Sequence, residues 1–140
     1  MARQAEAEWK GDLKGGSGRV KLGSGAYEGN YSFATRFENG TGANPEELLG
    51  AAHAGCFSMA LANALATAGF TATSVHTTAD VHLGKDDKGF LITRIDLTVD
   101  AVVPNLDNAT FQAHVEKTKV GCIISRSLAA VPTTVKATLK

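Results

Sequence analysis

Asn44-Pro45-Glu46-Glu47-Leu48-Leu49-Gly50-Ala51-Ala52-His53-Ala54-Gly55-Cys56-Phe57-Ser58-Met59-Ala60-Leu61 is the stretch on which the fold turns. Asn44 suits a helix N-cap, and Pro45 suits the first helical position. Glu46 and Glu47 favour the positive end of the helix dipole, and Asn44 with Glu47 has capping-box spacing. From Leu48 to residue 68 nearly every side chain is apolar or small, and Gly69-Phe70 has the form of a Schellman stop. A helix over 45–68 would be about 36 Å long. Being apolar almost all round, it is expected to be central and surrounded by protein.

Toward the N-terminus the chain is glycine-rich and polar, with Gly11, Gly15, Gly16, Gly18, Gly23, Gly25 and Gly29. Segments 5–9, 19–22 and 31–35 between them read as three short antiparallel strands. Neither Gly16-x-Gly18 nor Gly23-x-Gly25 continues into a phosphate-binding loop, so these glycines are read as turn formers. Toward the C-terminus, Val75, Thr77, Ala79, Val81 and Leu83 alternate with polar residues. After a turn at 84–89, Leu91, Ile95, Leu97, Val99 and Ala101 alternate with Ile92, Arg94, Asp96, Thr98 and Asp100. That is a hairpin with one buried face, ended by Pro104. Asp107 can cap a helix over 108–120 with Phe111 and Val115 on one face. Gly121 closes it, a shorter helical stretch over 122–129 follows, and Thr133–Leu139 reads as a last strand. Strands, long helix, hairpin, helices and strand in that order predict an α+β fold, with helices segregated on an antiparallel sheet.

The 140 residues suit a single domain. The chain is 44% hydrophobic and 20% charged, with fourteen basic residues against fourteen acidic ones. A neutral chain has no electrostatic footprint for nucleic acid and no pull toward anionic lipid, so neither is expected as a partner. No apolar run is expected to approach the length of a membrane span, and residues 1–10 are too polar for a signal-peptide core. The cytoplasm is the default compartment.

Cys56 and Cys122 are the only cysteines, too far apart in sequence for a CxxC motif. A permanent disulfide is not expected in a reducing cytosol. Two buried thiols acting as small hydrophobes, or a reversible redox pair, both fit the count. An ordinary cysteine is mostly protonated at neutral pH. By the helix dipole alone Cys122, near a helix start, is the better activated of the two. Cys56 lies mid-helix among Ala, Gly and Phe, where burial disfavours the thiolate. A cation must reach Cys56, and Arg36 is the only basic residue bordering that helix.

Thr35-Arg36-Phe37, the 44–61 stretch and Gly121-Cys122 with its following hydrophobic pair and Ser125 resemble the signatures of the OsmC/Ohr family. The likeness runs over essentially the whole chain in matching element order. His53-Ala54-Gly55-Cys56 is more similar to the OsmC branch than to the Ohr branch, where Tyr commonly replaces the histidine. A proline commonly follows the second cysteine, and here Ile123 stands there. The resemblance implies one OsmC-like domain over 1–140 and an interlocked homodimer with sites at its interface. It implies a thiol-dependent peroxidase that reduces organic hydroperoxides, and hydrogen peroxide more weakly, in defence against oxidative or osmotic stress. It further implies Cys56 as the peroxidatic cysteine and Cys122 as its resolving partner. Arg36 becomes the activator, Glu46 the carboxylate that orients it, and a dithiol, with a lipoyl-type carrier as candidate, the reductant. No cofactor and no metal are implied.

Glu46 precedes Cys56 by ten residues, about 15 Å of helix. One helix cannot place both at the same Arg36, but an antiparallel pair of these helices crossing near Ala51 can. Glu46 is therefore expected to serve the other subunit's Cys56; a kink at Gly50 or Gly55, or an extended Arg36 spanning part of the gap, is the competing explanation. Glu47 is read as the capping partner of Asn44. His53, one turn before Cys56, is read as packed or hydrogen-bonded in an interface, with base or ligand as the sharper option. His76 and His82 are read as solvated, and His114 has no evident partner. The rival readings are a Cys/His metal site built on His53, Cys56 and Cys122, a cysteine hydrolase with Cys56 and His53, and a binding module for a small apolar ligand.

Overall fold

The computed structural model describes residues 1–140. The chain is α+β and divides into two compact units, Met1–Leu48 and Leu49–Lys140.

In the first unit, β1 (Ala5–Lys10), β2 (Ser17–Leu22) and β3 (Glu28–Tyr31) form an antiparallel meander in that order. Trp9, Gly18 and Tyr31 lie directly opposite one another across it. The Trp9 and Tyr31 rings sit 5.4 Å apart between centroids, over the glycine. A Cβ at Gly18 would run into both rings, so this row requires the missing side chain. The strand expected over 31–35 is corrected: only Tyr31 belongs to β3, and Phe33–Phe37 is a short helix, α1. Ser32 and Thr35 close a capping box. The Ser32 hydroxyl accepts from the Thr35 N–H at 3.2 Å, and Thr35 Oγ1 accepts from the Ser32 N–H at 2.9 Å. Two local bonds outweigh a short strand-like composition. Arg36 consequently sits in the last turn of a helix.

The long helix, α2 (Pro45–Thr67), starts as expected. The Asn44 side chain accepts from the Glu47 N–H at 2.8 Å. It stops in a Schellman motif: the Phe70 N–H reaches the Leu65 carbonyl, the Gly69 N–H reaches the Ala66 carbonyl, and Gly69 has φ +94°. Its burial departs from expectation. His53, Phe57, Leu61 and Leu65, four residues apart, are fully buried, whereas Ala51, Ala52, Gly55 and Met59 are exposed. Within one chain only one stripe of this helix is covered. By length and composition α2 also passes as a possible membrane span, which corrects the expectation that no such run exists.

The second unit adds β4 (Ser74–Asp86), β5 (Gly89–Val102), α3 (Asn108–Gly121), α4 (Ile123–Ser127) and β6 (Thr133–Leu139). Asp107 caps α3 as expected, its side chain accepting from the Thr110 N–H at 2.8 Å. The core joins Phe57, Leu61 and Leu65 of α2 to Ile95, Leu97, Val99 and Ala101 of β5 and Phe111 and Val115 of α3. Helix meets sheet closely at Gly50, where an added Cβ would lie 3.3 Å from Val81 Cγ2.

Four details correct the sequence reading of this unit. The sheet is mixed: β5 pairs with β4 antiparallel but with β6 parallel, because α3 and α4 carry the chain back before β6 begins. The hairpin turn is only Asp87-Lys88, with Gly89 at φ +126° and both the Lys88 and Gly89 N–H groups on Asp86 Oδ1. A bulge lies opposite His82/Leu83, because His82 faces Arg94 while Leu83 faces Ile92. The extra residue, Thr93, reverses the alternation, so Ile92 packs on the core and Leu91 is exposed. His82 is not simply solvated. Its Nε2 lies 2.8 Å from Asp96 Oδ2, which also accepts from Arg94 Nε at 2.9 Å, while Thr134 Oγ1 donates to Asp96 Oδ1 at 2.7 Å. These bonds tie β4, β5 and β6 together on the outer face.

Candidate functional site

In the first unit the structure brings Arg36 and Glu46 together. Arg36 Nη2 donates to Glu46 Oε1 at 2.8 Å, and its Nε spans both carboxylate oxygens at 3.1 and 3.3 Å. The Glu46 side chain is 10% exposed and that of Arg36 39%. A nearly buried carboxylate is thus matched by a fork of N–H donors, and its place in the first turn of α2 adds the helix dipole. Asn44 braces the arrangement by donating from its side-chain amide to the Thr35 carbonyl at 3.2 Å. The guanidinium also lies 5.4 Å from the centre of the Phe37 ring.

In the second unit the structure brings the two cysteines together. Cys56, on α2, and Cys122, at the joint between α3 and α4, have their sulfurs 3.3 Å apart, and both are free thiols. A bonded pair would be about 2.05 Å apart, so roughly an ångström of approach separates contact from disulfide. Cys122 is 2% exposed; Cys56 is half-buried. Gly121 ends α3, and Cys122 leaves helical geometry at φ −60°, ψ 141°, which turns its side chain to the start of α4. There its sulfur accepts from the Ser125 N–H at 3.4 Å.

The two thiols are displaced in opposite directions. Burial pushes Cys56 up, and contact with Cys122 adds to this against the opposing N–H groups of Ile124 and Ile123. Burial also opposes ionisation of Cys122, but the Ser125 side chain and N–H, with Cys56, outweigh it and the thiol is lowered. Cys122 thus carries the charge more readily, as the helix-start argument expected.

His53 is fully buried, with Nε2 2.8 Å from Ser125 Oγ, while Nδ1 is buried with no hydrogen-bond partner. Burial lowers its pKa and keeps the ring neutral. The hydrogen-bonding role expected for it is therefore found inside its own chain. Ser125 is the residue that sequence reasoning left without a task. Its signal is spacing, since Cys122-x-x-Ser125 and His53-x-x-Cys56 each put two polar atoms one helical turn apart. No group of three or more His, Cys, Asp or Glu side chains is arranged to hold a metal ion. The backbone around Cys56 is committed to α2, which leaves a hydrolase no oxyanion donors there.

Comparison with known proteins places these features in context. Residues 38–136 match the family model described as OsmC-like protein. Peroxiredoxin OsmC of Escherichia coli (strain K12) is 51% identical over 129 residues, covering 91% of this chain and 90% of that protein, and the Shigella flexneri protein of the same name matches equally. Among solved structures, an organic hydroperoxide resistance protein from Elizabethkingia anophelis has a TM-score of 0.71 at 25% identity, covering 100% of this chain and 97% of that one. An OsmC-like protein of unknown function from Vibrio cholerae reaches a TM-score of 0.78 at 16% identity, covering 99% of each chain, a likeness of fold alone.

Proposed function

We propose that this chain, which belongs to the OsmC family and is a peroxidase, reduces organic hydroperoxides, and hydrogen peroxide more weakly, through Cys56 with Cys122 as resolving thiol. The observation that carries the reading is the 3.3 Å contact between two free thiols that lie 66 residues apart in sequence. The Cys56 thiolate attacks one peroxide oxygen; an S–O bond forms, the O–O bond breaks, and the departing alkoxide takes a proton to leave as the alcohol. The Cys122 thiolate then displaces hydroxide from the Cys56 sulfenic acid, forming the S–S bond, and the hydroxide takes a proton to leave as water. A dithiol reductant, with a lipoyl-type carrier as candidate, reopens the disulfide and is itself oxidised to one.

Arg36 supplies the cation that holds Cys56 ionised, and Glu46 holds Arg36 in place. Support for Glu46 comes from its fork-like pairing with Arg36. Ten residues of helix between Glu46 and Cys56 favour a cross-subunit arrangement, in which the partner subunit's Arg36 serves this Cys56. The exposed small face of α2, Ala51, Ala52 and Gly55, permits the close antiparallel approach of a second copy. On this reading 1–140 works as one domain in a homodimer, in the cytoplasm, with oxidative or osmotic stress as its setting.

The test is steady-state reduction of cumene hydroperoxide with dihydrolipoamide or dithiothreitol. Cys56→Ser and Cys122→Ser each abolish sustained turnover, and Arg36→Ala lowers kcat/KM by about a hundredfold, the scale of removing one charge-stabilising donor. Turnover that survives loss of either thiol overturns the reading.

A further inference from the structure

His53 and Ser125 have no task in the scheme above, yet they form a buried polar row behind its two sulfurs. His53 lies on α2 one turn before Cys56, and Ser125 on α4 one turn after Cys122. The ring Nε2 is 2.8 Å from Ser125 Oγ, the Ser125 N–H is 3.4 Å from Cys122 Sγ, and Cys122 Sγ is 3.3 Å from Cys56 Sγ. The row has a direction. His53 Nδ1 is buried without a partner, and a buried N–H left unpaired is rarer and costlier than a bare acceptor lone pair. The hydrogen therefore belongs on Nε2, where it donates to Ser125 Oγ. That leaves the serine's own hydrogen free to turn to Cys122, whose ionisation the Ser125 hydroxyl and N–H both favour.

We propose that His53 and Ser125 are positioning residues for the resolving step, a hydrogen-bonded chain His53 Nε2–H to Ser125 Oγ–H to Cys122 Sγ that holds Cys122 as a thiolate aimed at the Cys56 sulfenic acid. This deepens the thiol reading above and rests on it. The neutral, buried imidazole does not take up a proton in the step. It fixes the serine rotor, and the serine supports the negative charge until the S–S bond forms and the hydroxide released from Cys56 is protonated by solvent. The lowered pKa of Cys122 is consistent with this geometry.

The test is rapid mixing of the reduced protein with a limiting alkyl hydroperoxide, read by mass spectrometry with and without dimedone. Ser125→Ala slows Cys56–Cys122 disulfide formation about tenfold, the effect of one hydrogen bond to a charged group. It slows that step at least severalfold more than sulfenic acid formation, so dimedone adduct and sulfinic acid accumulate at Cys56. In a Cys56→Ser background, Ser125→Ala raises the midpoint of the Cys122 thiolate absorbance by about one pH unit. Ser125→Thr restores both readouts. His53→Gln, whose amide N–H replaces Nε2–H, resembles wild type, while His53→Leu resembles Ser125→Ala. Should Ser125→Ala fail to fold, the threonine and His53 variants carry the same comparison. Equal slowing of both steps, or an unmoved Cys122 midpoint, overturns the proposal while the wild-type disulfide leaves the thiol reading standing. Absence of that disulfide in the wild type overturns both.

Discussion

Met59→Glu tests whether the open stripe of α2 meets a second copy. Met59 is 77% exposed in the single chain, in the middle of the largely apolar helix α2. Full burial of a methionine side chain is worth about 1.5–3 kcal/mol. Three quarters of that remains to be gained, about 1–2 kcal/mol per subunit. A two-fold interface counts it twice, giving about 2–4.5 kcal/mol. At about 1.4 kcal/mol per factor of ten, the dimer should dissociate roughly 30- to 1,500-fold more easily. The isolated subunit should lose little, because Glu and Met have similar helix propensity and the site is exposed. Sedimentation equilibrium reads the assembly, and cumene hydroperoxide turnover across a dilution series reads the activity. The two should fall together if the partner subunit's Arg36 serves Cys56. An unchanged dimer refutes the assignment of this face. A dissociated protein with full turnover refutes the cross-subunit arrangement.

Leu61→Ala, at a fully buried core position, should cost about 3 kcal/mol and lower the urea midpoint accordingly; a loss under about 1 kcal/mol would mean the α2 stripe is not packed on β5 as described. Asp96 is held at about 2 by the Thr134 hydroxyl, Arg94 and His82, against an ordinary value near 4. A depressed carboxyl stabilises the fold above the ordinary value, and that contribution is lost as pH falls through about 2. Thermal melts of Asp96→Asn should therefore lie below wild type from neutral pH to about pH 4 and converge with it near pH 2; a constant gap throughout would show that ionisation of Asp96 plays no part.

The sequence made α2 legible because its signals are local. Asn44, Pro45, the two glutamates and Gly69-Phe70 act within a turn of where they stand. Asp107 capping α3 is legible for the same reason. What escaped depends on partners remote in sequence or on a single inserted residue. The bulge at Thr93 moves Leu91 out and Ile92 in without disturbing the composition of β5. The parallel pairing of β6 depends on where α3 and α4 return the chain, which no property of Thr133–Leu139 encodes. Phe33–Phe37 is hard to read because the alternation over 31–35 suits a strand, whereas the Ser32–Thr35 box shows only once both of its bonds are seen closed. The cysteines could be named from their motifs, but their 3.3 Å approach is a product of the tertiary fold. Ser125 draws its meaning from His53, 72 residues earlier.

The charge distribution in the pair leads to one more outcome. Burial makes Cys56 the protonated member, while Ser125 favours the charge on Cys122. Sulfurs 3.3 Å apart can exchange a proton directly, so a guanidinium beside Cys56 would reverse the order without moving the backbone. On the proposed reading, activation carries the proton from Cys56 to Cys122, and the departing alkoxide then takes that proton, which returns the charge to Cys122 for resolution. Arg36→Ala should accordingly leave a thiolate in the protein but in the wrong place. In a Cys122→Ser background it should raise the midpoint of the Cys56 thiolate absorbance by at least one pH unit, the scale of an adjacent opposite charge. In a Cys56→Ser background it should leave the Cys122 midpoint where it was. Equal shifts at both sulfurs would mean that Arg36 acts on the fold and not on one thiol.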